Sequence, residues 1–161
     1  MPYLLDANVF IQAKNLHYGF DFCPAFWDWL DRGHLDGQVF SIERVRTEIL
    51  AGDDDLTAWA GDRTSMFMTA ESSALPSLHA LSTWAVDAGY EPAAVSTFLQ
   101  VADYYLVAQA HAGGHVVVTH ETVSTSSRRI KIPNACIGLG VTCMTPYEML
   151  RVEHARFVLP A

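Results

Sequence analysis

The chain has 161 residues, half of them hydrophobic and 17% charged, with a net charge of −8. That is enough for one domain, residues 1–161, with a proper core, and the acidity counts against a protein that holds nucleic acid by bulk positive charge alone. No apolar stretch reaches the roughly 18 residues of a membrane span, no basic start or cleavage site suggests a secretory signal, and the three cysteines lack C-x-x-C spacing; reduced thiols in a cytoplasmic, non-membrane protein are expected.

The chain opens with Tyr3-Leu4-Leu5, a short apolar run that ends abruptly in Asp6. Asn8 follows as an N-cap, and the next apolar run suits a helix. This pattern predicts a buried strand with Asp6 at its carboxyl end, where open α/β sheets bind ligands. The competing reading is that Asp6 only caps the turn. Pro24 opens an apolar helix that Gly33 and Gly37 break. Gln38 to Ile42 reads as a second strand, with Ser41 as the N-cap of a helix from about Ile42 to Ala51. The acids Asp53-Asp54-Asp55 start the next helix, where they suit the helix dipole. Ser65 to Thr69 is a candidate third strand. Leu75 to Ala88 reads as a helix, and Glu91-Pro92 opens another that runs to His111 with a break near Val101. Gly113-Gly114 separates His111 from His115 and makes a zinc pair there improbable.

The continuous run His115 to Thr119 is typical of a buried parallel strand. Arg128 to Ile132 reads as extended, Pro133 to Leu139 as a short helix, Val141 to Met144 as a last strand, and Thr145-Pro146 as the cap and first residue of a final helix. Strands alternating with helices predict a three-layer α/β domain with a mainly parallel sheet and helices on both faces.

Two acids sit close to apolar stripes. Glu48 is three residues from Val45 and adjacent to Ile49, and Asp103 lies four after Leu99 and three before Leu106. A carboxylate facing an apolar layer is costly unless it is paired or binds a cation. Thr119 and Glu121 follow the valine strand, two apart, and point the same way if the chain stays extended.

These four acids, in order, resemble the PIN-domain nucleases. Members open with an apolar strand ending in Asp-x-Asn (Asp6-Ala7-Asn8), carry a glutamate on the helix after strand two (Glu48), an aspartate opening a later helix (Asp103), and an apolar strand followed by Thr-x-Asp. Here Thr119-His120-Glu121 places Glu where the family usually has Asp. The segment Arg129 to Cys136 resembles one in a PIN-like subgroup of uncertain function. The resemblance covers roughly residues 1–150 and implies the three-layer PIN-like fold, acids that bind Mg²⁺ or Mn²⁺, RNA as substrate and, for many small members, a toxin held inactive by a cognate antitoxin.

It implies Asp6, Glu48, Asp103 and Glu121 as catalytic metal ligands, with Asn8 and Thr119 holding the carboxylates in place. Arg128, Arg129 and Lys131 form the densest basic patch, soon after Glu121, and read as the substrate arm; a solvated loop is the bland reading. The role of Asn134 is left open. The expected activity is Mg²⁺- or Mn²⁺-dependent hydrolysis of RNA. The alternative is a catalytically weak or silent PIN-like scaffold acting through protein contacts, with an antitoxin or a second copy in a homodimer as partner. A haloacid dehalogenase-type phosphotransferase also starts with Asp at a strand tip, but it needs Asp-x-Asp, and Asn8 occupies the second position.

Overall fold

A computed structural model describes residues 1–160. Five parallel strands form the central sheet: β1 (Tyr3–Leu5), β2 (Val39–Ile42), β3 (Phe67–Met68), β4 (Val116–Val118) and β5 (Cys143–Met144), in the order β3-β2-β1-β4-β5. Tyr3 pairs with Val39 on one side and with Val116 on the other; Leu5 lies opposite Val118. Every residue of β1 and β4 is buried, so helices cover both faces of the sheet at its centre. The result is a three-layer α/β fold, as the alternation of patterns predicts.

The order places β1 beside β4 although two strands intervene in sequence. The chain builds outward from β1 to β3, then returns to the other side for β4 and β5. That reversal, between β1 and β4, is a topological switch point, the place at the carboxyl ends of the strands where open α/β sheets bind ligands. Asp6 and Thr119 follow those two strands directly.

Helix α1 (Ala7–Gln12) leaves β1 at once and continues as a π-helical stretch, Ala13–His17. Its Phe10 is fully buried against the rings of Trp59 and Phe67, at centroid distances of 5.8 and 5.9 Å. Helix α2 (Pro24–Leu35) buries Phe26, Trp27 and Leu30. Gly33 does not break it. The helix runs two residues further, and the glycine instead lets it approach the sheet: a Cβ there would lie 2.5 Å from Val39 Cγ2.

Helix α3 (Glu43–Leu50) packs through Val45 and Ile49. Ser41 does not cap it. It sits inside β2, buried, and donates to the Leu5 carbonyl at 2.6 Å, while Ile42 holds the cap position without a side-chain bond. Helix α4 (Asp55–Gly61) starts from Asp54 in a reciprocal capping box with Thr57. Helices α5 (Leu75–Asp87) and α6 (Pro92–Phe98) follow, and the predicted break falls at Val101, the N-cap of α7 (Ala102–Gly113). Gly114, at φ 68°, ends α7 in the left-handed conformation that glycine adopts without strain. His111 binds Ser77 at 2.7 Å rather than pairing with His115.

Residues 128–131 form no strand; Ile132 instead opens helix α8 (Ile132–Leu139). Thr145 caps the last helix, α9 (Pro146–Val152), as the sequence predicts. No helix of the described residues is long and apolar enough to cross a membrane.

Candidate metal centre

Asp6 is the only acid of the four that is buried outright, with 6% of its surface exposed. One carboxylate oxygen accepts from the Ala7 amide at 2.7 Å, so Asp6 is itself the N-cap of α1. The other accepts from the Thr119 hydroxyl at 2.9 Å. Asn8 is therefore not the cap. It is the second residue of α1, and its side chain turns to β4: Nδ2 donates to Thr119 Oγ1 at 3.3 Å, and Oδ1 accepts from the His120 amide at 3.2 Å. The Glu121 amide also donates to Thr119 Oγ1, at 3.1 Å. Thr119 thus gives its one proton to Asp6 and receives bonds from Asn8 and Glu121, the full capacity of a hydroxyl. These bonds lock the turn after β4 onto the turn after β1.

Asp103 lies in the first turn of α7 and Glu48 in the last turn of α3. The charges of these acids act on one another. Burial first, then the charge of Asp103, push the Asp6 carboxyl up to a pKa of about 7, with Glu121 adding to the rise and the bonds from Thr119 and Ala7 opposing it. Burial, then Glu121 and Glu48, push Asp103 up to about 6, against the opposing pull of Arg129. Glu48 is exposed overall, yet the walls around it desolvate its carboxyl enough to raise its pKa. The structure thus brings Asp6, Asp103 and Glu121 into one electrostatic cluster, with Glu48 at its rim beside Asp103.

Glu121 is the unusual member. Both of its carboxylate oxygens are buried, and neither has a hydrogen-bond partner. The cation beside it is Arg129 Nη2, at 3.8 Å from Oε1, too far for a hydrogen bond. Among the described residues no three His, Cys, Asp or Glu side chains close tightly enough to form a complete ligand set by themselves. The donor set is all carboxylate, which suits a hard cation that keeps several waters and touches only one or two carboxylates directly. The unsatisfied, buried carboxylate of Glu121 is of the chemistry such an ion takes.

Beside the acids lies a cleft of about 440 Å³. Glu48, Asp103, Arg128 and Arg129 all line it, together with Thr97 and Phe98 of α6. Arg128 is largely exposed and stands 3.9 Å from Glu91. Lys131 is the residue before α8 and does not line this cleft, so two of the three basic residues of the predicted arm share the cleft with Glu48 and Asp103 and one does not.

Two features escaped the sequence reading. Asn134 grips the loop after Glu121 with both ends of its amide: Oδ1 accepts from Ser124 N at 3.0 Å, and Nδ2 donates to Ser124 O at 2.9 Å. This fixes the segment that carries Glu121 and the arginines. The second is a nest of three rings, His17, His120 and Tyr147, with centroids 5.4–5.6 Å apart and a 3.0 Å bond between Tyr147 Oη and His17 Nε2. Its members are up to 130 residues apart, and no local pattern announces it.

No curated protein and no solved structure matches the chain significantly. A family model described as a domain of unknown function (DUF4411) matches residues 3–157, and the chain belongs to that family.

Proposed function

We propose that the chain is a metal-dependent endoribonuclease of the PIN-like type, which hydrolyses RNA phosphodiester bonds at the crevice where Asp6, Glu48, Asp103 and Glu121 gather. The observation that carries this reading is Glu121, whose two buried oxygens have no partner in a cluster of like charges. A buried carboxylate without donors is strongly unfavourable, and a divalent cation relieves it together with the repulsion among its neighbours.

Bound Mg²⁺ or Mn²⁺ would supply activation of the attacking water and neutralisation of charge on the phosphate. The chain's own residues do the rest. Asp6 and Glu121 are held in register through Thr119, which Asn8 orients in turn. Asp103 and Glu48 complete the acidic wall. Arg129 and Arg128 line the same cleft, where guanidinium groups would pair with phosphate oxygens. Asp6 and Asp103, whose pKa values are raised near neutrality, lose their protons as the cation binds. In the finer form of this reading the protein is cytoplasmic and acts as the toxin of a type II toxin–antitoxin pair.

A silent PIN-like scaffold is the second reading, and the open spacing of the acids is the observation that favours it. The deciding experiment is cleavage of single-stranded and structured RNA with Mn²⁺. The nuclease reading requires cleavage that EDTA abolishes and that Asp6→Asn removes with the fold intact. Equal cleavage by wild type and Asp6→Asn assigns the activity elsewhere. A short, partly disordered antitoxin-like protein encoded alongside would support the toxin reading.

A further inference from the structure

Among the described residues, Arg129 is the one cation within 4.0 Å of any of the four acids. It approaches from outside: its side chain is 64% exposed, whereas that of Glu121 is 10% exposed. The chain around it is anchored. The Glu91 amide donates to the Ser127 carbonyl at 2.9 Å, Ile130 is buried, and Asn134 holds Ser124. The backbone is fixed on both sides of Arg129, so the group able to move is the guanidinium. At 3.8 Å it supplies charge to Glu121 without satisfying its oxygens, which remain free to take a closer partner.

We infer that Arg129 is the resident counter-charge of the acid cluster in the metal-free protein, that a divalent cation displaces it on entry, and that the displaced guanidinium stays in the cleft as the phosphate-binding group. Metal entry and release of the arginine are then one event. The inference rests on the metal-site reading above. It requires opposite effects of one substitution on two ligands, which a merely structural arginine would not produce. Removing the charge eliminates a competitor for the metal and also eliminates a partner for phosphate.

The test is calorimetric titration of wild type, Arg129→Gln and Arg129→Lys with Mn²⁺, and then of the Mn²⁺-saturated proteins with inorganic phosphate, melting curves confirming that each is folded. Arg129→Gln should bind Mn²⁺ about tenfold more tightly, the scale of one nearby unit charge partly screened by solvent, and bind phosphate more weakly. Arg129→Lys, which keeps the charge, should bind Mn²⁺ much as wild type does. If wild type binds no Mn²⁺, the metal-site reading itself falls, and the inference with it. If wild type binds Mn²⁺ and Arg129→Gln binds it equally or more weakly, the metal site stands and the displacement is overturned. Tighter Mn²⁺ binding with unchanged phosphate affinity overturns the phosphate role.

Discussion

The raised pKa of Asp6 gives the metal-free protein a definite dependence on pH. In the folded chain this carboxyl titrates at about 7, against 3.8 for the free group, first because it is buried and next because Asp103 is close. Between those values the folded state holds a proton that the unfolded state has lost. Stability therefore falls as pH rises through this window, and the proton's contribution is gone above the folded pKa. From pH 5 to pH 8 a single site with these two constants loses about 2–3 kcal/mol. For a chain of this length that corresponds to a fall in melting temperature of about 5–10 °C.

Other groups titrate in the same range. Burial lowers the pKa values of His115 and His120, which makes stability rise with pH and opposes the trend. The measurement is therefore a difference. Asp6→Asn keeps an oxygen for the Ala7 amide and cannot ionise, but its amide nitrogen would face a Thr119 hydroxyl whose lone pairs are already engaged. That conflict shifts its stability by an amount that does not vary with pH. Thermal unfolding in EDTA, followed by circular dichroism at several pH values, should show Asp6→Asn gaining on wild type by about 2–3 kcal/mol between pH 5 and pH 8. A gap that stays constant across this range would refute the protonated, buried Asp6.

Mn²⁺ at a hundredfold excess over its Kd should stabilise wild type by about 2.7 kcal/mol. Asp103→Asn should raise the metal-free melting temperature at neutral pH and respond less to Mn²⁺, so equal responses would remove Asp103 from the site. Asn134→Ala leaves the Ser124 amide and carbonyl without their side-chain partners and should lower stability by about 1–2 kcal/mol in denaturant titrations, with a loss of RNA cleavage larger than that change explains. Gly33→Ala places a methyl group against Val39 and should cost about 1–3 kcal/mol in the same assay, leaving Mn²⁺ affinity unchanged.

What could be read from the sequence was whatever depends on neighbours in the chain. The valine run of β4, the break at Val101 and the Thr145 cap are local events, and they fall where patterning puts them. Three of the errors concern positions whose partners lie outside their own element, and a fourth is residues 128–131, which read as extended and form no strand. Ser41 has the chemistry of a cap, but the Leu5 carbonyl 36 residues earlier takes its hydroxyl. Asn8 looks like a cap, but its partners are Thr119 and His120. Gly33 looks like a stop, but its missing side chain makes room for Val39. Asp6, Glu48 and Asp103 were visible because each interrupts or borders an apolar pattern, and Glu121 because it follows the β4 strand two residues after Thr119. The lack of partners around Glu121 and the reach of Arg129 were not visible, since both depend on the path of the loop between β4 and α8.

The two readings of Asp6, helix cap or functional acid, are not alternatives in this fold. Capping uses one oxygen, and the bond from Thr119 uses the other, but each carboxylate oxygen has a second lone pair. The cap and the hydroxyl hold the carboxylate still and leave those lone pairs for a further partner. The same bonds pull the Asp6 pKa down, whereas burial and neighbouring acids pull it up and prevail. A group serving only as a cap would gain from being ionised, because an anion at a helix N-terminus is favourable. Asp6 is instead buried and set beside Asp103 and Glu121, and both its burial and those acids discourage ionisation. That arrangement is unfavourable for a cap alone, and the proposed cation would balance it.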